Sequence, residues 1–69
     1  MKLHYYPETD SLYIELKAGP GTETREVASG VNLDLDGDGN AVGLDIDQAS
    51  RKLYLSTLET VDLPLGKAA

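Results

Sequence analysis

Asp34, Asp36 and Asp38 stand at alternate positions, followed by Gly39, Asn40 and, further on, Asp45. This nearly writes the calcium loop of an EF-hand, which takes ligands at positions 1, 3 and 5, Gly at 6, a backbone carbonyl at 7 and a bidentate Glu at 12. The match fails at its end and in its surroundings. Position 12 would be Asp45, one methylene short of Glu, and position 8 is Ala41. An EF-hand also needs a helix on each side, whereas both flanks here alternate with the two-residue period of a strand. A narrower expectation survives. Asp34, Asp36, Asp45 and Asp47 share one outer face of a hairpin, with Asp38 at its tip, and the five carboxylates would bind calcium adventitiously and weakly. A solvated acidic face is the commoner origin of such a cluster.

The remaining reactive residue types are sparse. His4 is the single histidine. It is expected opposite Tyr13, with Tyr6 on the same face. A His–Tyr pair can relay a proton, but an exposed strand pair is far commoner. His4, Tyr6 and Tyr13 are instead expected to form an interaction patch, since aromatic side chains are enriched at interfaces. Ser11, Ser29, Ser50 and Ser56 fall in turn or cap contexts, where hydroxyls bond the backbone. The stretch Gly19-Pro20-Gly21 is too short for a phosphate loop and lacks both a Lys and a following helix start. There is no cysteine, hence no disulfide and no thiolate–metal staple. No catalytic constellation emerges, no cofactor is implied, and a non-enzyme is expected.

The elements that must position these residues follow from periodicity. Around the loop Pro7–Asp10, opposed residue numbers sum to 17 if Tyr6 faces Ser11. One face then carries Leu3 with Ile14 and Tyr5 with Leu12. The other carries Lys2 with Glu15 and His4 with Tyr13, an opposite-charge pair and an aromatic pair of the kind that supports a sheet. Thr22–Ala28 reads as a short edge strand. In the second hairpin the constant sum is 77, pairing Val31 with Ile46, Leu33 with Leu44, Leu35 with Val42 and, on the outer face, Asp36 with Ala41. Gly39 and Asn40 are residue types that accept the positive φ of a hairpin loop. Beyond it, Asp47 is an N-cap type for a helix reaching toward Leu53. Ser56 and Glu59 have capping-box spacing, although a short strand over Leu53–Ser56 competes. The fold expected is a small, mostly β antiparallel meander: two hairpins, a short edge strand and a short C-terminal helical segment. It forms one domain over 1–66 with a disordered tail at 67–69.

With these elements placed, the chain resembles the small bacterial proteins grouped as domain of unknown function 2283. The resemblance rests on Tyr6, Pro7, Asp10, Leu12, Tyr13, Ile14 and Leu16, on Val27, on Asp34, Asp36, Gly39, Val42, Gly43 and Ile46, and on Ala49 and Ser50. It implies a small mostly-β fold and supplies no activity, cofactor or catalytic residue. Some relatives lie beside genes for small toxin-like proteins, which implies an accessory or antitoxin-like role.

Size and charge bound the function. A chain of 69 residues without Phe or Trp buries only about 60% of its unfolded surface, so a homodimer or larger homo-oligomer is expected to supply the missing burial. Six basic residues against twelve acidic give a net charge of −6. Nucleic-acid binding draws on Lys and Arg against phosphate, so that class is excluded and a basic protein partner suits the charge better. No run approaches the ~20 apolar residues of a membrane span, and no signal-peptide apolar region opens the chain. A cytoplasmic protein is therefore expected. The function expected is a non-enzymatic interaction module, with weak cation binding as the alternative.

Overall fold

A computed structural model describes residues 1–66, and the tail expected at 67–69 lies outside them. Five strands form one antiparallel sheet: β1 (Lys2–Tyr6), β2 (Ser11–Glu15), β3 (Glu23–Ala28), β4 (Val31–Leu35) and β5 (Ala41–Ile46). A one-turn helix α1 (Ala49–Lys52) and a 3-10 turn (Leu55–Thr57) complete it. The class is the mostly-β one expected. The spatial order is β1-β2-β5-β4-β3, so a hairpin and a three-stranded meander join along β2 and β5.

The first hairpin holds its register throughout, from Lys2 opposite Glu15 to Tyr6 opposite Ser11. Its loop closes with the Thr9 N–H donating to the Tyr6 carbonyl at 3.3 Å. Asp10 adopts φ 55°, a left-handed conformation that Asp tolerates better than most residues. β2 then pairs Leu12 with Ile46 and Ile14 with Leu44, which continues the apolar face across the sheet.

The second hairpin keeps its expected register from Val31 opposite Ile46 to Asp34 opposite Gly43, then departs from it. Leu35 faces Ala41 rather than Val42, so Asp36 does not face Ala41. An extra residue in one strand is a β-bulge, which bends the strand and re-aims its neighbours. On the other side of β5, the Val42 carbonyl accepts the N–H groups of Leu16 and Lys17, just past β2, at 2.9 and 3.4 Å. Asp36 turns into the loop instead of extending the ladder.

The two edges differ. β3 carries the Glu23–Arg25 ion pair at 2.8 Å and a register shift between Glu26 and Ala28, both devices that discourage edge pairing. β1, KLHYY, holds its ladder without a bulge, and Lys2 is its only Lys, Arg, Asp or Glu.

The C-terminal expectations need correction. The α1 N-cap is Gln48 at φ 51°, not Asp47, and its side chain makes no capping bond. The Asp47 carboxylate accepts only the adjacent Gln48 N–H at 3.1 Å. Ser56 lies inside the 3-10 turn, whose N-cap is Tyr54 without a side-chain capping bond. The helical turn expected before Leu53 is present as α1, whereas the capping box at Ser56 and Glu59 and the strand over Leu53–Ser56 are absent from the described residues. Leu53, Leu55 and Leu58 instead line one groove with Leu3, Tyr5, Leu12 and Ile14, at spacings that match no single helical or strand period. The buried cluster is small: Leu12, Ile46 and Ala49, with Ile14, Val31 and Leu44 packed against it.

Candidate interaction site

The polar face of the sheet is built around Gly43. This residue faces Glu15 on β2 and Asp34 on β4, and a Cβ there would collide with the Tyr13 hydroxyl and ring. The bare backbone lets the Tyr13 ring lie across β5. Its hydroxyl donates to Asp34 Oδ2 at 3.0 Å, while Thr24 Oγ1 on β3 donates to Oδ1 at 2.8 Å. One carboxylate thus ties three strands together. Burial first, then the bond to Asp34, raises the Tyr13 pKa above its ordinary 10.0.

This arrangement divides the aromatic patch. His4 and Tyr13 are opposed in the ladder, yet Tyr13 spends its hydroxyl proton on Asp34. His4 stacks on Tyr6 instead, with ring centroids 4.3 Å apart at 20°. The stacked pair is exposed.

The acidic hairpin is divided as well. Asp36 Oδ1 accepts the Asp38 and Asn40 N–H groups, each at 2.9 Å, and Lys17 Nζ stands 3.9 Å from Oδ2. These bonds, that from the Asn40 backbone foremost, hold the Asp36 carboxyl below its ordinary value. Asp38 sits on the exposed loop, Asp45 faces Asn32, and Asp47 bonds its own neighbour. Among the described residues, no group of three His, Cys, Asp or Glu side chains is placed to hold a metal ion.

Sequence reasoning missed Asp10. Its Oδ2 accepts the Ser50 hydroxyl at 2.7 Å, and its Oδ1 accepts the Ser50 N–H at 3.1 Å and the Tyr5 hydroxyl at 2.8 Å. Its carbonyl accepts the Ala49 N–H at 2.8 Å. The first hairpin therefore supplies the cap that α1 lacks locally. The Ser50 hydroxyl, then that of Tyr5, holds the Asp10 carboxyl low, and Asp10 in turn raises the Tyr5 pKa. The available signal was the recurrence of Asp10, Ala49 and Ser50 among the positions carrying the family resemblance.

A groove with room for a ligand lies on the opposite face. Leu3, Tyr5, Leu12 and Ile14 floor this apolar groove of about 640 Å³, and residues 53–55 and 57–59 wall it. Glu59 is the only carboxylate in its lining, which contains no His, Lys or Arg. The groove can therefore bury apolar surface, and its polar groups are the Glu59 carboxylate and the hydroxyls of Tyr5, Tyr54 and Thr57. Its wall is poorly covered: Leu58 is 69% exposed and Tyr54 91%. No helix among the described residues is long and apolar enough to cross a membrane.

The family described as "Protein of unknown function (DUF2283)" matches residues 2–50. No curated protein and no solved structure matches the chain. The match includes Asp10, Gly43 and Ser50 and stops before the groove's outer wall.

Proposed function

Since the chain belongs to the DUF2283 family, whose description assigns no activity, we propose from its own residues that it is a non-enzymatic protein-interaction module acting through the apolar groove. The carrying observation is that exposed apolar surface does not end at the groove. It continues along the chain past Glu59 to Val61, Leu63 and Leu65, each at least half exposed. A groove of this volume suits a small ligand, but a small ligand would leave that extension in water. Contiguous apolar patches beyond a few hundred Å² mark protein-binding surfaces, and another polypeptide can cover groove and extension together. The chain then serves as an accessory subunit, its acidic polar face keeping it soluble.

A photoreactive phenylalanine analogue in place of Leu58 tests this. Irradiation of the purified protein and of expressing cells is expected to give adducts to a polypeptide, with the attachment mapped to Leu58. The same analogue at Val27, exposed at 57% on the far edge of the sheet, is expected to give none. Adducts only to small molecules, or equal labelling from Val27, would remove the reading.

A further inference from the structure

We infer that the polypeptide covering the groove is a second copy of this chain, joined β1 edge to β1 edge about a two-fold axis through His4. The inference rests on the groove being a protein-docking surface and names its occupant.

Area is the first argument. A compact monomer of this mass exposes roughly 4200 Å², whereas this chain exposes 5370 Å². The excess, on the order of 1000 Å², is close to the ~800 Å² that each partner contributes to a standard protein interface. The radius of gyration agrees: 13.2 Å against about 11 Å for a compact domain of this length. A single sheet with one open face accounts for both numbers, and a partner on that face would bury an area of about this excess.

The edges decide the direction. β3 is blunted by its ion pair and bulge, while β1 presents an undefended ladder beside the groove. An exposed, regular edge strand is a template for pairing with another chain, and homodimers close most simply about a two-fold axis. Register follows from parity. In an antiparallel β1–β1 pair the two apolar faces merge only if opposed residue numbers have an even sum, because side chains alternate. Full overlap of Lys2–Tyr6 then selects the pairing in which Leu3 faces the partner's Tyr5 and His4 faces the partner's His4. The two grooves then lie side by side on one face of a continuous sheet, and each copy's apolar segment after Tyr54, with Leu58, Val61, Leu63 and Leu65 exposed, crosses the junction to cover the other's floor.

The absence of native cysteine makes the register testable. Light scattering of the purified chain is expected to give twice its 7.4 kDa mass. Leu58→Asp, and independently Tyr54→Glu, are expected to return the monomer mass with the β circular-dichroism spectrum intact, since both side chains are exposed. Val27→Asp is expected to leave the dimer unchanged. His4→Cys is expected to form an intermolecular disulfide on mild oxidation, lost when combined with Leu58→Asp. A monomeric wild type, a dimer broken by Val27→Asp but not by Leu58→Asp, or a dimer that His4→Cys does not cross-link would each overturn the pairing. If the wild type is monomeric while a photoreactive group at Leu58 still captures a different polypeptide, self-pairing fails and the docking surface stands. If neither occurs, both fail.

Discussion

At position 43 the chain has no room for a side chain, because the Tyr13 ring and hydroxyl occupy the place where a Cβ would stand. Gly43 and Tyr13 therefore act as one unit. Gly43→Ala must push Tyr13 off Asp34, and overpacking of this kind costs about 1–3 kcal/mol. Tyr13→Phe removes only the hydroxyl bond, worth roughly 0.5–1.5 kcal/mol. Combined with Tyr13→Ala, which empties the space, Gly43→Ala is expected to cost far less than it does alone. Urea denaturation of the four proteins in that cycle measures the coupling, and strict additivity would mean the two residues do not share the site. The aspartates make a second residue-scale prediction. Asp34 is committed to Tyr13 and Thr24, and Asp36 to two loop amides. A cation would have to displace those donors. At about 1 mM calcium, where weak calcium modules fill, the melting temperature is expected not to move; a rise in melting temperature with a matching binding heat would reinstate the cation site.

Single elements were legible wherever their cause was local. Alternation alone gives the first hairpin's register, since both faces of β1 and β2 are consistent from Lys2 to Tyr6. It also gives the second hairpin's register as far as Asp34. The bulge at Val42 was not legible, because the apolar alternation of β4 and of β5 runs unbroken in the sequence and gives no sign of the extra residue. The start of α1 was not legible for a different reason: Asp47 is a good N-cap type, but the cap comes from Asp10, forty residues earlier. Of the site, the shared face of His4 and Tyr6 and the groove floor follow from strand parity, whereas the stacking of His4 on Tyr6 rather than Tyr13 does not, and the groove wall follows no period. The Asp10 cap yields a prediction at this scale. Its carboxyl is held below the ordinary 3.8 by Ser50 and Tyr5, so the folded state binds that proton less tightly than the unfolded state. The stability it contributes is fully present above the ordinary value and is lost as pH falls through the lowered one. Asp36 has the same sign. Tyr5, raised by its bond to Asp10, and Tyr13, raised by burial and Asp34, set the alkaline side: their contributions are present below pH 10.0 and are lost as pH rises through the raised values. Asp10→Ala is expected to lower the melting temperature at neutral pH by about 5 °C, as loss of an N-cap does in a domain this small. It should also flatten the fall of melting temperature below pH 4 and speed hydrogen exchange at the Ser50 amide. An unchanged acid limb would show that Asp10 does not hold α1.

For the molecule as a whole, charge and apolar surface oppose each other. Each copy carries −6, so pairing two copies brings twelve net negative charges together, and the apolar face must overcome that repulsion. Salt separates the two effects, because screening weakens the long-range repulsion without removing the apolar contact. The molecule measures 33 × 31 × 20 Å. At 0.01 M salt the Debye length is about 30 Å, so each copy's charges act across the whole of its neighbour; at 0.1 M it is about 10 Å, and only charges near the junction act. Self-association is therefore expected to tighten about tenfold or more over that range, with the melting temperature rising at higher protein concentration because the dimer is the stabilised state. Complexes with a basic partner would behave oppositely, since salt screens attraction as well as repulsion. Sedimentation equilibrium at the two ionic strengths reads the sign directly. A dissociation constant that rises with salt would mean the copies are held by charge pairs, for which Lys2 on β1 and the partner's carboxylates are the available groups, and the apolar groove would lose its place as the contact.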